Sequence, residues 1–150
     1  MASQDEILAE AHKRAQESGL PYAGALRPAE AHQLLQDNAK AVLIDVRSRA
    51  EWDFVGRVPG AVEIEWKTYP GMRPNEGFLE QLQSRVPKDA LALFICRSGA
   101  RSHETAALAK RAGYDNAFNV VEGFEGDRDP EGHRNSVGGW RAAGLPWTQS

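Results

Sequence analysis

The run ALALFIC at residues 90–96 constrains the fold of this chain more than any other stretch. It holds no charge, no glycine and no proline, and Pro87, Lys88 and Asp89 break the pattern just before it. A short apolar run bounded by breakers suits a β-strand covered on both faces. Such a strand needs parallel neighbours and a layer of helices on each side.

The rest of the chain supplies those parts. AVLIDV (residues 41–46) is a second nearly continuous apolar run, and NAFNVV (116–121) reads as another strand. A further short strand is expected within GRVPGAVEI (56–64). Between them lie helical patterns. Ile7, Leu8, Ala11 and Ala15 share one face of a helix over 5–17, which the glycine and proline of SGLPYAG end. Pro28 fits the first turn of PAEAHQLLQ, where its missing N–H costs nothing. Ser48 and Glu51 form an S-x-x-E capping box. Phe78, Leu79, Leu82 and Val86 stripe a helix in EGFLEQLQSRV, and residues 102–112 form another, with Gly113 as its stop. Strands alternating with helices predict an α/β fold with a central, mostly parallel sheet of about five strands flanked by helices. Sites in such sheets sit at the carboxyl ends of strands.

Cys96, the single cysteine, ends its strand in that position and opens the loop CRSGARS. A cysteine closing an apolar strand is more often a core residue than a nucleophile. The residues on its carboxyl side reverse the odds. Gly99 lets the backbone curl, the helix beyond offers unpaired N–H groups and the positive end of its dipole, and Arg97 and Arg101 add full charge. Together they make a nest for an anion, and each of these influences favours the thiolate.

CRSGARS resembles the active-site loop of rhodanese-type sulfurtransferases. LIDVRSRAEWDFVGRVPGAVEI and GGWRAAGLPW are similar to two further signatures of that family, in the same order along the chain. The likeness runs from about Ala25 to Trp147. It implies a three-layer rhodanese-like domain over 25–150, preceded by an N-terminal helical extension over 1–24. It implies Cys96 as the sulfur-carrying nucleophile, cradled by Arg97, Ser98, Gly99, Ala100, Arg101 and Ser102. Arg101 matches the loop-closing arginine. Asp45 and Arg47 match a strand-end pair expected to brace the loop from beneath. The activity implied is transfer of sulfane sulfur from a thiosulfate-like anion to an external cyanide, small thiol or protein thiol, without cofactor or metal. A sulfur-carrier or regulatory binding module with little turnover is the alternative. Related phosphatases and arsenate reductases place five residues between cysteine and arginine; four separate Cys96 from Arg101, which favours sulfur over phosphate.

Several other readings are weaker. A net charge of −3 leaves no basic excess for nucleic acid. No apolar run is long enough to span a membrane, and the first residues have no signal-peptide core. With one thiol and no internal partner for it, a reducing compartment, the cytoplasm, is expected. DRDPEG (127–132) resembles the start of a calcium loop, but Gly138 stands where the closing glutamate is required. His12, His32 and His133 are scattered without ligand spacing, and His103 is expected on the surface or behind the nucleophile. Trp66 and Trp140 are expected in packing roles. The polar stretch 122–139 departs from the family pattern and is expected to edge the site and filter acceptors.

Overall fold

The structure, a computed structural model, describes residues 3–149. Five parallel strands form the central sheet in the order β1-β7-β6-β2-β3. These are β1 (Gly24–Leu26), β2 (Ala41–Asp45), β3 (Val62–Glu63), β6 (Leu91–Ile95) and β7 (Ala117–Val120). A small antiparallel pair, β4 (Lys67–Thr68) and β5 (Arg73–Pro74), stands apart. The helices are α1 (Gln4–Ser18), α2 (Pro28–Asp37), α3 (Arg49–Phe54), α4 (Phe78–Arg85) and α5 (Ala100–Arg111). The expected α/β sheet of five strands is present. The three-residue β1 and the β4–β5 pair go beyond the expectation, because runs this short carry no period.

The pleat of β6 divides the core in two. Ala92, Phe94 and Cys96 face a cluster with Leu82, Ala106 and Tyr114. Leu91, Leu93 and Ile95 face the other, with Ile7, Leu34, Phe118 and Trp140. Burial on both faces is why this strand reads as an unbroken apolar run rather than an alternating one. In β2 the same alternation puts Leu43 on the second face and Ile44 on the first.

The chain's beginning is part of this packing. Ser3 and Glu6 make a reciprocal capping box at the start of α1, and Gly19 ends it in the left-handed conformation. Ile7, Ala11 and Ala15 are buried on its inner face. Arg14 donates to the Ala25 carbonyl at 2.9 Å and pairs with Glu30 of α2 at 2.6 Å. No described helix is long and apolar enough to cross a membrane.

Candidate active site

β6 delivers Cys96 to the carboxyl edge of the sheet, between the strand and the start of α5. Cys96 is 1 % exposed and belongs to the first core cluster, so the residue is part of the core as well as the end of the strand. α5 begins at Ala100 rather than Ser102, because Gly99 caps it with φ +107, a conformation that a side chain would strain. Arg101 and Ser102 are therefore first-turn helix residues, and their N–H groups lack helical acceptors. The Gly99 N–H donates to Cys96 Sγ at 3.1 Å, and Ser102 Oγ lies 3.3 Å from the same sulfur. Arg97 is exposed, and Ser98 and Gly99 are half-buried.

Arg101 reaches out of its own loop to a second helix. Its guanidinium grips Glu51 of α3 through Nη1–Oε1 at 2.7 Å and Nη2–Oε2 at 2.9 Å. Glu51 also accepts from the Ser48 backbone and hydroxyl at 3.1 and 3.0 Å, so the N-cap of α3 and the loop share one carboxylate. Burial alone would raise the Glu51 pKa. Arg101 and Ser48 overcome burial and hold it at about 2. The capping box is visible in the sequence; the partner fifty residues away is not.

Asp45 and Arg47 form a fork at 2.7–3.1 Å and are wholly buried. Their contacts are with each other, with the Gly56 carbonyl at 2.8 Å and with Phe124, over whose ring the Arg47 guanidinium sits at 4.2 Å. Arg47 Nη1 has no hydrogen-bond acceptor; the ring lies against the guanidinium instead. Phe124 in turn donates its N–H to the Cys96 carbonyl at 2.8 Å, and Glu125 donates to the Arg97 carbonyl at 3.0 Å. The pair thus reaches the loop through Phe124 and not directly. The approach demands glycine at 123, where a Cβ would lie 2.6 Å from the backbone of Cys96 and Arg97.

The polar stretch expected at the rim is an ordered lobe rooted on this contact. Asp129 Oδ1 accepts from the Glu131 and His133 N–H groups, and Arg134 donates to the Gly126 carbonyl at 2.7 Å. Hydrogen bonds from the backbone N–H groups depress the Asp129 carboxyl. Ser98 and residues of the lobe, including Arg128 and Arg134, line one cleft of about 540 Å³. No group of three His, Cys, Asp or Glu among the described residues is placed to hold a metal.

Two site residues carry no motif that marks them in the sequence. Asn119 of β7 puts Oδ1 2.6 Å from Ser102 Oγ and donates through Nδ2 to Tyr22 Oη (3.2 Å) and the Gly99 carbonyl (3.3 Å). Tyr22 Oη lies 2.8 Å from His103 Nδ1. A lone asparagine between Phe118 and Val120 is the available signal, since a buried amide needs partners. Trp140 packs in the core and Trp66 packs edge-on to Phe78.

A Rhodanese-like domain matches residues 27–129. The crystal structure of Rv0390 from M. tuberculosis superposes with a TM-score of 0.79 at 46 % identity, covering 86 % of this chain and 99 % of that one. A protein named sulfurtransferase from Allochromatium vinosum is 29 % identical, covering 76 % of this chain and 84 % of its own. The polysulfide-sulfur transferase homodimer of Wolinella succinogenes shares the fold, with a TM-score of 0.58 at 22 % identity and coverage of 99 % and 95 %.

Proposed function

We propose, from the premise that this chain belongs to the rhodanese-like domain family, that it is a sulfurtransferase working through a Cys96 persulfide. Cys96 attacks the outer sulfur of an anionic donor such as thiosulfate. A sulfur–sulfur bond forms, the donor's own bond breaks, and sulfite leaves with the electron pair. The acceptor then takes the outer sulfur and returns Cys96 to its starting state. Such a double displacement gives ping-pong kinetics. The observation that carries this reading is the Gly99 N–H aimed at Sγ from 3.1 Å, at the start of α5. Neighbouring first-turn N–H groups are suited to hold the anionic outer sulfur. Exposed Arg97 is suited to draw in the anionic donor. With one cysteine, the acceptor is external, and a reducing compartment such as the cytoplasm suits the free thiol.

The test is intact-mass measurement after thiosulfate treatment. A gain of one sulfur atom, absent in Cys96→Ala, supports the reading. No adduct on a thiol that alkylates normally sinks it as a thiosulfate enzyme. Aryl-phosphate turnover lost in Cys96→Ser would instead revive a phosphatase reading.

The cleft beside Ser98 favours a second reading. At about 540 Å³ it is far larger than cyanide needs, so a protein thiol is a fitting acceptor and the domain a sulfur carrier. Deleting residues 127–135 should then impair the acceptor step more than sulfur loading. Equal loss of both counts against any filtering role for the lobe. Faster transfer to cyanide than to protein thiols would count against the carrier.

A further inference from the structure

Around Cys96 the hydrogen bonds fix the direction of a proton. The Gly99 carbonyl can only accept, so the Asn119 amide nitrogen faces it and the amide oxygen faces Ser102. An oxygen–oxygen distance of 2.6 Å requires a proton between the two atoms, and Oδ1 has none to give. Ser102 has a single proton, so it lies toward Asn119 and a lone pair of Oγ faces Sγ, 3.3 Å away. At the far end Tyr22 Oη accepts from Asn119 Nδ2 and lies 2.8 Å from His103 Nδ1, which adds a second hold on the amide. Burial pushes the Tyr22 phenol up and keeps its proton in place.

We infer that Asn119 is a positioning residue that holds the Ser102 proton away from the sulfur, so that Ser102 accepts a hydrogen bond from the resting Cys96 thiol. Ionisation then requires the hydroxyl to turn toward the sulfur and abandon the bond to Asn119, leaving a buried amide oxygen unpaired. The bond to Ser102 thus works against the Gly99 N–H and the loop charges, which favour the thiolate, and slows adventitious oxidation and alkylation of the resting sulfur. The inference deepens the sulfurtransferase reading and rests on it for its biological sense, but not for its test. The charged and titratable groups around the sulfur are Arg97, the Arg101–Glu51 and Asp45–Arg47 pairs, and His103 beyond Tyr22. Substitution of Ser102 or Asn119 leaves all of them in place.

The pH profile of Cys96 alkylation by iodoacetamide decides, together with the ultraviolet absorbance of the thiolate. The plateau of the profile reports access to the sulfur, and its midpoint reports ionisation. In Ser102→Ala the midpoint should fall, and alkylation on the acid side of it should quicken about fivefold, the ratio represented by one ordinary hydrogen bond. Asn119→Leu should move the midpoint the same way. Ser102→Ala/Asn119→Leu should go no further than Ser102→Ala, because Asn119 acts through Ser102. A midpoint that rises in Ser102→Ala means that Ser102 donates to the thiolate, and overturns the inference. An unmoved midpoint in Asn119→Leu, or full additivity in the double variant, overturns it as well. If Asn119→Leu does not fold, Ser102→Ala alone decides, since it trims one hydroxyl. None of these measurements uses a sulfur donor, so their outcome does not depend on whether the protein forms a persulfide.

Discussion

Two arginine–carboxylate forks support the Cys96 loop, and they differ in reach and in surroundings. Asp45 and Arg47 are two residues apart and wholly buried. Glu51 and Arg101 are fifty apart, and their side chains keep 18 % and 11 % of their surface in solvent. The first underpins the loop from the far face of the sheet through Phe124. The second clasps the loop's helix to α3 from the side. A charge sealed in the core must be paired or it destabilises the whole fold. One at the rim can respond to pH and substrate.

Breaking the buried fork should have the largest effect. Arg47→Met leaves the Asp45 carboxylate buried without its partner, and unfolding in urea should show a loss of about 3–5 kcal/mol. The Asp45→Leu/Arg47→Met pair should recover much of that loss. A single variant as stable as the parent would remove the distinction between the two forks.

Glu51→Gln should cost on the order of 2–3 kcal/mol, and its signature is a pH window. The Glu51 carboxyl is depressed from 4.5 to about 2 in the folded chain. Its stabilisation is therefore complete above pH 4.5 and is lost as pH falls toward 2. Urea midpoints measured down that range should fall less steeply in Glu51→Gln than in the parent. Parallel slopes would mean that the clasp contributes nothing.

Arg101→Lys keeps the charge and loses the fork, so persulfide loading, followed by mass, should slow about tenfold while the fold persists. The smallest effect belongs to Arg97, which sits in neither pair. Arg97→Ala should change stability by less than about 0.5 kcal/mol. Stopped-flow loading at rising ionic strength should show a lower and less salt-sensitive rate. Undiminished salt sensitivity would remove Arg97 from donor steering.

The same contrast marks what the sequence discloses. The Ser48–Glu51 cap and the β6 run depend on neighbours within a few positions, and both are readable as spacing. Gly99 is readable too, since a glycine between two arginines after a strand has few other uses. Arg101 meeting Glu51, and Asn119 meeting Ser102 and Tyr22, depend on how three separate segments close on the sheet. No local period encodes that closure. α5 starts two residues ahead of the expected Ser102, because a glycine cap carries no side-chain signal. The polar stretch 122–139 discloses only its composition, whereas its order comes from backbone bonds to Cys96 and Arg97.

That root has a consequence for how the rim can vary. Trp140 donates to the Gly123 carbonyl at 2.8 Å and Asn135 to the Glu125 carbonyl at 2.7 Å, so the lobe is pinched shut at its neck before it reaches the cleft. A closed loop pays for extra length only logarithmically, about 0.6 kcal/mol for each doubling. Residues beyond the neck can lengthen, shorten or change charge while the carbonyls behind Cys96 stay where they are. If the lobe filters acceptors as proposed, that choice is free to diverge while the loop around Cys96 stands still.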